Sequence, residues 1–137
     1  MIFLVDANVL SEATKPQPLA RVIEWLGVNE SEIAIDPIIL GELRFGISLL
    51  PAGARRLKLE RWFARGIEKM HCLPWQAATG MRWAKLLADL RAAGNSMPVK
   101  DSLIAASALV HGLTLATRNK RDFMKAGVKI INPFVEG

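Results

Sequence analysis

Four acidic residues stand where a carboxylate is either costly or well placed to act. Asp6 ends the apolar run Ile2-Phe3-Leu4-Val5. Glu42 lies among Ile39, Leu40, Leu43 and Phe45, where a lone carboxylate is expensive unless it is paired. Asp101 stands before Ser102-Leu103-Ile104-Ala105-Ala106, and Asp122 closes Thr117-Arg118-Asn119-Lys120-Arg121. Brought together, such groups repel: two unit charges about 4 Å apart cost on the order of 4 kcal/mol at an effective dielectric of 20. A divalent cation removes that penalty. With a single cysteine, Cys72, and no cluster of histidines, the donor set is hard oxygen, which suits Mg²⁺ or Mn²⁺ rather than zinc. No Ser, Cys or His triad is evident, and His71 and His111 read as structural or solvated.

Each acid also has a plainer explanation. Asp6 and Asp101 can each be an N-cap for the helix that follows. Glu42 can be a solvated helix residue, and Asp122 a surface partner of Arg118 and Arg121. Asp36, in Asp36-Pro37, reads as a cap outright. Glu12, Glu60, Glu68 and Asp89 read as solvated helix faces. Periodicity alone does not prove that Asp6, Glu42, Asp101 and Asp122 converge.

The elements that would have to position them alternate strand with helix. Phe3 to Val5, Ile33 to Ile35, Leu113 to Ala116 and Val128 to Ile131 are short apolar runs, the mark of strands buried on both faces of a parallel sheet. Met70 to Leu73 reads as a further short strand, ended by Pro74. Between them the spacing predicts a short helix after Asp6, a helix from Leu19 stopped by Gly27, and helices around Ile39–Leu50 and Leu59–Met70. Further helices are predicted over Trp75–Ala93, over the small residues after Asp101, and over Asn119–Ala126. The expected fold is a three-layer α/β/α sandwich around a central parallel sheet, in one domain over residues 1–137. In such sheets ligands sit beyond the carboxyl ends of the strands, which is where Asp6 stands.

Composition narrows the classes. At 51% hydrophobic and 23% charged residues the chain is ordinary globular material, with no apolar run long enough to span a bilayer. One cysteine excludes an internal disulfide, and the N-terminus carries no basic leader, so a cytoplasmic location is expected. A net charge of +5 leans towards a polyanionic partner.

Four segments, in order, give the chain a resemblance to a known family. They are Phe3-Leu4-Val5-Asp6-Ala7-Asn8-Val9-Leu10-Ser11-Glu12, Leu40-Gly41-Glu42-Leu43-Arg44-Phe45-Gly46, Met97-Pro98-Val99-Lys100-Asp101-Ser102-Leu103-Ile104-Ala105-Ala106 and Leu115-Ala116-Thr117-Arg118-Asn119-Lys120-Arg121-Asp122-Phe123. With the C-terminal Asn132-Pro133-Phe134, the chain resembles the PIN-domain ribonucleases, in particular the VapC-like toxins of type II toxin–antitoxin pairs. The resemblance implies a metal-dependent endoribonuclease, inhibited by a cognate antitoxin and usually dimeric. It implies that Asp6, Glu42 and Asp101 are the three central acids and Asp122 the more variable fourth. Asn8, Thr117 and Asn119 fall on its supporting polar positions. Two residues depart from the pattern: Ala7 replaces a frequent Thr, and Lys100 stands where an apolar or small residue is common.

On that reading RNA affinity would come from cations beside the acids, Arg44, Arg118, Lys120 and Arg121, while the basic run from Arg55 to Lys69 reads as a solvated helix face. An antitoxin tail would need an apolar groove, for which Leu49, Leu50, Leu59, Trp62 and Phe63 are candidates, though plain core residues would look the same. Three rivals remain: a non-toxin RNA-processing factor on the same fold, a module that binds metal or peptide without hydrolysis, and a metal hydrolase of small phosphoesters.

Overall fold

The computed structural model describes residues 1–136. Four strands, β1 (Phe3–Val5), β2 (Ile33–Ala34), β3 (Thr114–Ala116) and β4 (Ile130–Ile131), form one parallel sheet in the order β2-β1-β3-β4. Successive strand residues point to opposite faces. Leu4 and Val5 are both fully buried, and so are Leu115 and Ala116, so helices must cover both faces. This is the α/β/α arrangement expected. Its helices are α1 (Ala7–Leu10), α2 (Ala20–Val28), α3 (Pro37–Ser48), α4 (Ala54–Arg65), α5 (Ala77–Ala92), α6 (Val99–His111) and α7 (Lys120–Phe123). None is long and apolar enough to cross a membrane.

The small-residue helix α6 packs mainly against α5. Ser102, Ala105, Ala106, Ser107 and Ala108 are all fully buried, and Trp83 of α5 donates its indole N–H to Ser102 Oγ at 2.9 Å. Gly112 ends α6 in the left-handed region at φ 66°, where a side chain is strained, and Leu113 N–H returns to Ala108 C=O at 2.9 Å. That turn delivers the chain into β3 beside β1. Asp36 caps α3 as expected, accepting Ile39 N–H at 2.8 Å. Its carboxylate is fully buried beside Ser107 and Trp75, and burial raises its pKa.

Several boundaries differ from the sequence reading. The Met70–Leu73 strand shrinks to one bridge, Ile35 to Cys72, because Pro74 has no N–H with which to extend the ladder. The last strand pairs only at Ile130 and Ile131, the two residues that β3 reaches. Gly27 lies inside α2, which runs on to Val28. Met70 is not on the helix of Trp62 and Phe63: α4 ends at Arg65, and a 3₁₀ turn spans Ile67–Lys69.

Candidate active site

Asp6 is fixed by short-range geometry first. It leaves the carboxyl end of β1, its backbone N–H bonds Ala116 C=O at 2.9 Å, and Oδ1 accepts Ala7 N–H at 2.8 Å as the cap of α1. The other oxygen is held from across the sheet. Thr117, the fully buried residue after β3, donates its hydroxyl to Asp6 Oδ2 at 2.8 Å, and Asn8 Nδ2 approaches the same oxygen at 3.3 Å. Thr117 Oγ1 in turn accepts Asn119 N–H at 3.1 Å. The cap explanation for Asp6 is therefore true and incomplete.

The other acids reach the same place from three helices. Glu42 comes from α3, Asp101 from the first turn of α6 and Asp122 from α7. Asp6 is only 5% exposed, and its pKa is raised to about 6, by burial first and then by the charges of Glu42 and Asp101, against the Thr117 and Ala7 hydrogen bonds. Asp101 is raised by burial, then by Asp122 and Glu42, with Lys100 opposing. Asp6 thus feels the charges of Glu42 and Asp101, and Asp101 those of Asp122 and Glu42.

The cluster is open rather than closed around an ion. Among the described residues, no three His, Cys, Asp or Glu side chains stand close enough to enclose a metal. Lys100 donates its ammonium to Glu42 Oε2 at 2.7 Å, while Glu42 Oε1 is buried without a hydrogen-bond partner among the described residues. Four oxygen donors from four segments, one of them orphaned, nevertheless match the chemistry of a hard divalent cation.

Of the basic residues expected at the rim, Arg118, Lys120 and Arg121 are exposed beside Thr117 and Asp122. Arg118 is the most constrained. Its N–H bonds Asn8 Oδ1 at 3.1 Å, and its guanidinium lies 4.7 Å from the centre of the Phe134 ring. Arg44 does not stand free with them: it pairs with Glu60 of α4 at 3.1 Å, an acid that Arg56 also approaches at 3.8 Å. Glu60 is thus no idle solvated face. Asn119 bonds Thr117 through its backbone N–H, and among the described residues its side chain makes no hydrogen bond. Ala7 is buried and donates the N–H that Asp6 Oδ1 caps. His71 and His111 are exposed and outside the cluster.

Sequence reasoning misread Glu12. It is 4% exposed, accepts Leu19 N–H at 2.8 Å and pairs with Lys15 at 2.8 Å, so it pins the Lys15–Pro18 loop. Lys15, then the Leu19 N–H, hold its pKa low. Only the prolines of that loop hinted that the chain folds back there. The apolar groove was read in part. Leu50, Leu59 and Trp62 line a hollow of about 220 Å³ with Leu43 and Ile47, and Trp62 also borders neighbouring hollows of about 490 and 310 Å³. Leu49 instead points outward, 68% exposed, and Phe63 is core at 5%.

Known proteins resemble this chain along nearly its whole length. The family model described as PIN domain matches residues 3–129. The plasmid stability protein StbB of Pseudomonas syringae pv. tomato is 36% identical, over 97% of this chain and 99% of its own. The VapC ribonuclease Y4jK of Sinorhizobium fredii is 32% identical over 97% and 98%. Toxin FitB of Neisseria gonorrhoeae is 31% identical over 97% and 99%. Among solved structures, FitAB bound to an IR36 DNA fragment superposes with a TM-score of 0.92 at 29% identity, covering 99% of this chain and 98% of that one.

Proposed function

The chain belongs to the PIN domain family, and from that premise we propose that it is a divalent-metal-dependent endoribonuclease acting as the toxin of a toxin–antitoxin pair. The observation that carries the reading is Asp6 at the carboxyl end of β1, buried and held by Thr117, its pKa raised by burial and then by the charges of Glu42 and Asp101, while Asp101 is raised by burial and then by Asp122 and Glu42. The naming of relatives of near-equal length as VapC ribonuclease and toxin supports the substrate class and the role.

The four acids are the proposed ligands of Mg²⁺ or Mn²⁺. When bound, such an ion supplies polarisation of the scissile phosphate and a lowered pKa for an attacking water. The chain's own residues do the rest. Thr117 and Asn8 hold Asp6 in one rotamer, so the first ligand is set before anything binds. Arg118, Lys120 and Arg121 give the RNA backbone its countercharge beside the acids. An antitoxin segment would lie in the groove that runs past Trp62, whose rim carries Arg55 and Lys58.

Incubating the protein with total RNA and Mg²⁺, then mapping new 5′ ends, tests the reading. Cleavage at defined positions that stops with EDTA is expected. RNA bound but left intact would move the chain to the binding-module class. Phosphate released from small esters, with RNA spared, would make it a phosphoesterase.

Arg118→Ala should weaken RNA binding and reduce the slope of log affinity against log salt by about 0.7, the share of one phosphate contact on a single strand. The exposed guanidinium over Phe134 is the reason to choose it. An unchanged slope in a salt titration removes Arg118 from the interface.

A further inference from the structure

One cation stands inside the acid cluster. Lys100 Nζ lies 2.7 Å from Glu42 Oε2 and ties the first turn of α6 to the middle of α3. An ion pair this exposed, with side chains 53% and 30% accessible, is ordinarily worth little. Its setting is what distinguishes it. The second oxygen of Glu42 is buried and unpartnered, and Asp101 and Asp6 both act on the Lys100 ammonium. The ammonium therefore sits where several carboxylates need a positive charge.

We propose that Lys100 is a resident, displaceable counterion of the acid cluster: it occupies Glu42 when no metal is bound and must leave that oxygen when a divalent cation takes it. The inference rests on the reading of the cluster as a metal site and deepens it. A lysine suits the part. Its charge is compact and rides on a flexible four-carbon stem, so it can quit one oxygen without moving the backbone. Glu42 Oε2 cannot at once accept the ammonium at 2.7 Å and coordinate an ion without the two cations crowding each other. Metal uptake is then a competition, and the residue preceding Asp101 sets its stringency. The chain binds metal more weakly than the same acids would without Lys100.

The test uses Mn²⁺ alone, with free ion counted by its electron paramagnetic resonance signal, on the wild type and on Lys100→Met, Lys100→Gln and Lys100→Arg. Neighbours of metal ligands typically move metal affinity by about 10–100-fold. The Met and Gln variants should bind Mn²⁺ roughly tenfold tighter, within that range, and Arg, which keeps the charge, should stay close to wild type. The rise in melting temperature on adding Mn²⁺ should be larger for Met and Gln, because a ligand stabilises by RT ln(1 + [L]/Kd) and a lower Kd makes that larger. Equal or weaker Mn²⁺ binding by the Met and Gln variants overturns the inference and leaves the metal site standing. Mn²⁺ bound by none of the four proteins overturns both together.

Discussion

Asp101→Asn is expected to lower RNA cleavage by at least ~10²-fold, the scale lost when one preorganised charge is removed from a transition state, while the protein stays folded. The sequence offered a cap as the alternative role for Asp101, and the structure removes it. Pro98 occupies the cap position of α6, and among the described residues no hydrogen bond reaches the Asp101 carboxylate. The side chain is half-buried, and both burial and the charges of Asp122 and Glu42 make its ionised form costly. A carboxylate that supports nothing locally and is penalised for its charge has its reason elsewhere, in the cation it would share with Asp6, Glu42 and Asp122. The amide keeps size and shape, so packing against α5 is untouched. Circular dichroism should match the wild type while new 5′ ends disappear from the RNA map. Mg²⁺-dependent cleavage at the wild-type rate in this variant would sink the assignment of Asp101.

What the sequence revealed, and what it hid, follows from the range of each interaction. The strand ends were legible because an apolar run that stops at a carboxylate is a local pattern, as at Val5-Asp6. The four acids were legible in order because each lies within a short recognisable segment. Their convergence was not, because it depends on pairings such as Thr117 to Asp6, which are 111 positions apart. The partner of Arg44 was hidden for the same reason: Glu60 lies 16 positions away on another helix. For Leu49 and Phe63 the sequence left groove and core open, because an apolar residue on a helix does not fix which way the helix is turned. Glu12 was hidden because the chain doubles back at Pro16 and Pro18 to bring Leu19 N–H to its carboxylate. Lys100 stood out as a departure from the family pattern, but only the fold shows that its ammonium reaches Glu42.

Asp6→Asn should make the metal-free protein more stable at neutral pH while stopping cleavage. Burial, ahead of every other cause, raises the Asp6 carboxyl to about 6 in the folded chain, from 3.8 in the unfolded reference. Between those values the folded state keeps a proton that the unfolded state has released. Stability therefore falls as pH rises from about 4 to about 6 and is flat above that. A difference of roughly 2 pKa units corresponds to about 3 kcal/mol, or on the order of 10 °C in melting temperature for a domain of this size. Asparagine carries no charge to bury and can still accept Ala7 N–H, while its amide nitrogen loses the bonds that Oδ2 accepts from Thr117 and Asn8, which offsets part of the gain. In EDTA, melting temperatures across pH 4.5 to 7.5 should diverge, with the wild type falling and the variant holding more nearly level. Adding Mn²⁺ at pH 7.5 should raise the wild type and barely move the variant. Parallel curves in EDTA would mean that the ionised Asp6 is already well solvated or paired in the folded chain. Divergence would show that the strand β1 holds an acid at a cost to its own fold, a cost that a bound cation offsets.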